Sequence, residues 1–175
     1  MSGSWEQAPE NTLESLRHGI IQTDGIQLDI LLTSDNELII HHDSTLSIPK
    51  DRLDGRIKWV ESWTLDELKS QGFCSLDDLL NDSMVRKHWI EKGKMVCLEF
   101  KRPHLLSPKG RRIFSKSRQI STLGTAMKVA ELKLNQEEIP NQNSVFYSFY
   151  KGMKKIIEKN SIKRNWAELM PSIPT

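Results

Sequence analysis

The chain has 175 residues, of which 37% are hydrophobic and 27% are charged, a balance typical of a globular protein with a buried core. This composition excludes a disordered chain, and no apolar run approaches the roughly 18 residues that a membrane-spanning helix needs. The N-terminus lacks the basic and apolar segments of a signal peptide, so we expect a cytoplasmic protein with one domain over residues 1–175. The two cysteines are far apart in the sequence, which argues against a disulfide framework or a zinc site.

The net charge of +2 hides an uneven distribution along the chain. Residues 1–100 contain 10 Lys and Arg against 18 Asp and Glu, whereas residues 101–175 contain 15 against 5. A basic half can form a nucleic-acid surface, but here the basic residues are spread over predicted helices and loops with few aromatic residues between them. A solvated surface is therefore the favoured interpretation, and a basic region beside a phosphate-binding site is another.

The first elements along the chain are a capped helix and two strands. Asn11 or Thr12 can cap a helix whose apolar residues follow at i, i+3 and i+7 spacing. The segments GIQLDILLT (25–33) and ELIIHHD (37–43) predict strands separated by a short polar turn.

Helices and strands alternate over the rest of the chain. A polar, irregular segment at about residues 47–62 is predicted to be a small surface insertion. It is followed by capped helices at 64–70 and 75–82, a strand at 94–101, a helix at about 111–134, a strand at 144–149, a helix at 150–160 and a possible fifth strand, cut short, within 166–175. This order predicts an α/β fold with a parallel sheet, in which site residues gather at the carboxyl ends of the strands.

Two pairs of polar residues lie within the predicted strands at i, i+2 spacing. Gln27 and Asp29 emerge from one face of their strand, and Glu99 and Lys101 from one face of theirs. Burying such groups without partners costs roughly 2–7 kcal/mol, so they need a hydrogen-bond or ion-pair network, or a hard divalent cation held by their oxygens. In the second interpretation Glu99 is a carboxylate ligand and Lys101 holds a phosphate group.

Two histidines end the second predicted strand and point to opposite faces, so one of them can share a pocket with Asp29. Such a histidine is either a structural residue or a general acid or base. Ser148 and Phe149 end the strand at 144–149 in the same way. Together these strand ends indicate a site for metal-assisted attack on a phosphodiester.

The segments PENTLESL, DGIQLDILLTSDNELIIHHDSTL, WTLDELKS, FCSLDDLL and VCLEFK, in this order, resemble the glycerophosphodiester phosphodiesterase family. The resemblance runs from about Gly3 to Lys101 and continues more weakly through SVFYSF. It implies a TIM-type barrel, of which this chain supplies about five of eight strands, with the small insertion at about 47–62. An incomplete barrel predicts self-association or a partner chain that completes it.

The resemblance also implies a reaction in glycerophospholipid metabolism, the hydrolysis of glycerophosphodiesters to an alcohol and glycerol 3-phosphate with calcium or magnesium as cofactor. By position, His42 resembles a catalytic histidine, and Asp29 and Glu99 resemble metal-binding carboxylates. Gln27 stands at a third metal-ligand position, and Lys101 resembles the catalytic, substrate-binding cation beside the phosphate. His41 stands where the family usually has an apolar or aromatic residue, and no role is assigned to it.

Two departures from the family pattern leave other functions open. Gln27 replaces a glutamate, which removes one negative charge and should lower the affinity for a metal. The family sequence His-Arg-Gly corresponds here to Met1-Ser2-Gly3, so the first family histidine is absent, with Met1 at its position. The alternatives are a catalytically impaired fragment or pseudoenzyme that binds metal or phosphodiester, and a phospholipase on the same barrel.

Overall fold

The computed structural model describes residues 11–47, 58–103 and 116–169, and their strands form one sheet. The strands are β1 (Gly25–Leu32), β2 (Leu38–Ile40), β3 (Met95–Phe100), β4 (Ser144–Ser148) and β5 (Asn165–Glu168). They lie in the order β2-β1-β3-β4-β5, which confirms the α/β fold with a five-stranded sheet. Strands β1, β3, β4 and β5 are parallel, as expected, whereas β2 runs antiparallel to β1. A short turn joins β1 to β2 and forces this direction, because only a long crossover can return a chain to a parallel position.

The α-helices include the three whose capping residues predict where they begin. The α-helices are α1 (Leu13–Gln22), α2 (Leu65–Ser70), α3 (Leu76–Leu80), α4 (Ser83–Arg86), α5 (Lys116–Gln136) and α6 (Met153–Asn160). Thr12, Thr64 and Ser75 each accept a hydrogen bond from the backbone N–H three residues later, and a side chain at that position bonds back. Thr12 rather than Asn11 is therefore the cap of α1. Most of the predicted insertion, residues 48–57, lies outside the described residues.

The two faces of the sheet are covered differently. Leu28 and Ile30 of β1 belong to the main core, which α1, α5 and α6 cover, whereas Leu31 packs with Ile39 and Trp63 in a smaller cluster on the opposite face. The alternation of side chains in β1 is thus as predicted, and Gln27 and Asp29 share the face of Leu31. No helix among the described residues has the length and apolarity needed to cross a membrane.

The face that carries Gln27 and Asp29 is partly open. An open cavity of about 540 Å³ lies along it, and its lining includes Gln27, Cys97, Val145, Tyr147, Ala167 and Leu169. Of the predicted site residues Gln27 lines this cavity, whereas Asp29, Glu99 and Lys101 are not among its lining residues.

Asp82 links α1 to α4, and its removal should be measurable. Its carboxylate accepts hydrogen bonds from the Val85 backbone N–H at 2.9 Å and from Arg17 Nε at 3.1 Å. We expect Asp82→Ala to lower the free energy of unfolding by about 1–2 kcal/mol at pH 7, the usual effect of losing an N-cap. Urea denaturation should show this, with Asp24→Ala, a change at an exposed residue, as the control.

The effect of Asp82→Ala should depend on pH. The hydrogen bond from Arg17 lowers the pKa of the Asp82 carboxyl, against the opposing effect of burial. A lowered folded-state pKa stabilises the protein above the unfolded-state value of about 3.9, and this stabilisation is lost as the pH falls through the folded-state pKa. The difference between wild type and variant should therefore shrink in acid. A difference that stays constant down to pH 2 would contradict this origin.

Candidate active site

The register of three parallel strands brings Asp29, Glu99 and Tyr147 together. Asp29 of β1 is opposite Glu99 of β3, and Glu99 is opposite Tyr147 of β4. Residues in register on neighbouring strands are about 5 Å apart and share one face of the sheet. All three are buried. Two carboxylates and a phenol therefore meet near the carboxyl ends of the strands.

Lys101 follows β3 and binds both carboxylates. Its Nζ lies 3.0 Å from Asp29 Oδ1 and 2.6 Å from Glu99 Oε1. Burial opposes the charge on Lys101, but hydrogen bonds to Glu99 and Asp29 outweigh that effect and raise the pKa of the ammonium. The two carboxylates and the ammonium thus form a mostly buried network with a formal net charge of −1.

Gln27 and Tyr147 complete this network through Glu99. Gln27 is exposed, and its Nε2 donates to Glu99 Oε2 at 3.1 Å and lies 3.5 Å from Asp29 Oδ1. The Tyr147 hydroxyl donates to the same Glu99 oxygen at 3.4 Å. Burial, followed by the charges of Glu99 and Asp29, raises the pKa of Tyr147, so this phenol stays a neutral donor. Tyr147 is not among the residues predicted from the sequence, although its place in SVFYSF, three residues after the start of a strand, is a usable signal.

The two histidines lie beyond the strand that was predicted to hold them. Strand β2 ends at Ile40, so the prediction that both histidines alternate on a strand is wrong. His41 Nε2 lies 3.1 Å from the Thr45 carbonyl oxygen, and its ring packs edge-on against Phe73, which is a structural role. His42 is exposed, and its Nδ1 lies 3.0 Å from Asp43 Oδ1.

The predicted site residues thus fall into two groups. Gln27, Asp29, Glu99 and Lys101 are in direct contact, whereas the hydrogen bond of His42 in the described structure is to Asp43. The Ser148 hydroxyl donates to the Phe100 carbonyl at 2.8 Å and so ties β4 to β3. Met1 lies outside the described residues.

The carboxylates suit a hard divalent cation in chemistry and position. Asp29 and Glu99 converge on a single point, where the Lys101 ammonium lies within 3.0 Å of both. Carboxylate oxygens are the usual protein ligands of calcium and magnesium. Among residues 11–47, 58–103 and 116–169, no three His, Cys, Asp or Glu side chains form a metal-binding group. A third protein ligand would therefore be the Gln27 amide oxygen, after rotation of the amide that now presents its nitrogen.

The parallel strands and the acid–lysine site at their carboxyl ends define an α/β protein of the TIM-barrel type. The model of the glycerophosphoryl diester phosphodiesterase family matches residues 2–170, and the chain belongs to this family. This confirms the resemblance that the motifs indicate.

Individual relatives agree with this assignment. Over 68 residues the chain is 35% identical to a glycerophosphodiester phosphodiesterase of Caldanaerobacter subterraneus subsp. tengcongensis. This alignment covers 38% of this chain and 26% of the relative. A phosphodiesterase of Oleispira antarctica, solved with the product sn-glycerol-3-phosphate, has a TM-score of 0.64 at 20% identity. The alignment covers 97% of this chain and 64% of that one.

A second solved structure supports the same fold. The glycerophosphodiester phosphodiesterase of Thermotoga maritima has a TM-score of 0.59 at 19% identity, with 94% of this chain and 57% of that chain aligned. The chain therefore spans less than two thirds of the length of the relatives it matches. Such an extent is consistent with an incomplete barrel, because the described part supplies four parallel strands and one antiparallel strand.

Proposed function

We propose that this chain provides part of the active site of an enzyme that hydrolyses glycerophosphodiesters to an alcohol and glycerol 3-phosphate. The observation that carries the proposal is the contact of Asp29, Glu99 and Lys101 at the carboxyl ends of parallel strands, in a chain of the glycerophosphoryl diester phosphodiesterase family. The product bound to the Oleispira antarctica phosphodiesterase supports a small phosphorylated substrate.

In this proposal Asp29 and Glu99, with the Gln27 amide oxygen, hold a calcium or magnesium ion. The bound cation would withdraw charge from the phosphoryl oxygens and so favour attack at phosphorus. When the Lys101 ammonium is not bound to the carboxylates, it donates a hydrogen bond to a phosphoryl oxygen of the substrate. Tyr147 holds one oxygen of Glu99 and so helps to orient that carboxylate.

His42 is the proposed proton-transfer group. Hydrolysis breaks the bond from phosphorus to the alcohol oxygen, and that oxygen needs a proton as it leaves. If Nδ1–H of His42 donates to Asp43, the lone pair remains on Nε2, which can take up and deliver a proton. The exposure of His42, whose side chain is 59% accessible, keeps this nitrogen within reach of a substrate.

The open face of the sheet gives the proposal a second part. Its exposed residues include Leu169, and β5 is an edge strand of the sheet. We propose that self-association or a partner chain covers this face and completes the barrel.

Release of glycerol 3-phosphate from glycerophosphocholine tests the proposed reaction. We expect the 175-residue chain to release it when calcium or magnesium is present and to stop when a chelator is added. His42→Gln should lower the rate by about 100-fold or more, and His18→Gln, at another exposed histidine, should not change it. A cyclic phosphate that persists as product would indicate the phospholipase alternative instead.

Two departures from the family pattern favour a second candidate, a protein that binds phosphodiester or metal without turnover. Gln27 supplies an amide where the family has a carboxylate, and Met1 stands where the family has a histidine. Binding of glycerophosphocholine or magnesium with no detectable product would support this candidate and contradict the hydrolase.

A further inference from the structure

The charged groups of the site saturate one another. The Lys101 ammonium is shared by Asp29 and Glu99, at 3.0 Å and 2.6 Å. Gln27 Nε2 donates a hydrogen bond to the other carboxylate oxygen of Glu99, Oε2, at 3.1 Å. A cation that approaches the carboxylates meets this ammonium, and a phosphate that approaches the ammonium meets the carboxylates. Each ligand therefore encounters a site already occupied by the protein's own groups.

The structure thus suggests a link between the two ligands, and it rests on the proposed function. We propose that a divalent cation and a phosphate monoester bind to this site cooperatively, with Lys101 as the group that couples them. The cation displaces the Lys101 ammonium from Asp29 and Glu99. The displaced ammonium, on a flexible side chain that is 19% exposed, then becomes a donor to the phosphate.

The formal charges support this coupling. Asp29, Glu99 and Lys101 carry a net charge of −1, so a phosphate monoester of about −2 alone would raise the negative charge at the site. A divalent cation alone releases an ammonium that loses both its partners. When both ligands bind, the cation replaces the ammonium at the carboxylates and the ammonium gains a new anion. Each ligand thus removes the electrostatic penalty that the other meets.

Gln27 determines how strongly the coupling is expressed. A glutamate at this position would add a negative charge at the carboxylates, and a cation could then displace Lys101 without help from phosphate. The neutral amide lowers the affinity for a lone cation, so binding depends more strongly on the second ligand. Gln27 is exposed, and a substitution there should not disturb the fold.

Isothermal titration calorimetry tests the coupling on the full 175-residue chain. Magnesium would be titrated with and without saturating glycerol 3-phosphate, and glycerol 3-phosphate with and without magnesium. A titration without protein corrects for the complex that the two ligands form in solution. We expect each ligand to tighten the other by the same factor, about 5-fold or more. Equal affinities with and without the second ligand would overturn the inference, as would the absence of binding by either.

Two variants assign the coupling to the named residues. Lys101→Met should bind magnesium more tightly alone and reduce the coupling factor towards one. Gln27→Glu should raise the affinity for magnesium in the absence of glycerol 3-phosphate by about tenfold. This second variant keeps the test valid if Lys101→Met does not fold. The control Gln71→Glu makes the same change at the exposed residue that follows α2 and should leave both affinities unchanged. Unchanged magnesium affinity in Gln27→Glu would overturn the role of the carboxylates.

The proposed reaction and the coupling can fail separately. Hydrolysis without coupling would contradict this inference and leave the proposed function in place. Coupling without hydrolysis would contradict the hydrolase and support the inference.

Discussion

Lys101→Met is expected to lower the free energy of unfolding by about 3 kcal/mol at pH 7. The substitution leaves Asp29 and Glu99 as adjacent carboxylates, with side chains 7% and 5% exposed and no ammonium between them. Removal of one partner from a buried ion pair costs about 3–5 kcal/mol, and the partial exposure of Lys101 places this case at the lower end. Urea denaturation followed by circular dichroism should measure the loss, and excess magnesium should restore part of it.

Lys69→Met is the matched control. Lys69 forms an ion pair with Asp78 at 2.7 Å, but the two side chains are 43% and 28% exposed. Exposed ion pairs contribute about 0–1 kcal/mol, so this variant should lose less than the Lys101 variant. Equal losses in the two variants would contradict a special role for the buried network.

Trp89→Ala should lower the free energy of unfolding by about 3–5 kcal/mol. Trp89 is fully buried in the main core, and its Nε1 donates to the Asn143 carbonyl oxygen at 3.0 Å. The Asn143 side-chain amide donates back to the Trp89 carbonyl at 2.8 Å, so the two residues form a reciprocal pair. The substitution creates a cavity and leaves the Asn143 carbonyl without its donor. The midpoint of urea denaturation gives the size of the effect.

The tryptophan of β5 provides the comparison. Trp166 is 38% exposed on the edge strand, and its replacement by Ala should change the free energy of unfolding by less than about 1 kcal/mol. If Trp166→Ala were as destabilising as Trp89→Ala, the edge strand would be packed more tightly than the described structure indicates.

Local features of the fold were predictable because short-range interactions determine them. Thr64 and Ser75 cap their helices through bonds to residues three positions later, so the pattern of a few letters is sufficient. The side chains of Leu28 and Asp29 lie on opposite faces of the sheet because successive side chains of a strand alternate. These features do not depend on which strands pair with each other. The barrel type was predicted from the resemblance of the motifs to the family.

The end of β2 was harder to predict because it depends on a neighbouring strand. The apolar run of ELIIHHD continues towards His41 and His42, but pairing with β1 stops at Ile40. The His41 N–H still donates to the Asp29 carbonyl at 2.8 Å, but the strand itself ends at Ile40. The side of the protein that each histidine faces therefore no longer follows from alternation.

The sequence by itself determined the starts of α1, α2 and α3, the alternation of side chains in β1, the choice of Gln27 and Asp29 as site candidates, and the family. Only the tertiary structure decided how these residues meet. Glu99 touches Gln27 across 72 positions of sequence and Tyr147 across 48, because β1, β3 and β4 pair in one register. The ammonium of Lys101 between two buried carboxylates is likewise a product of that register, since a shift of one residue would turn one carboxylate to the other face.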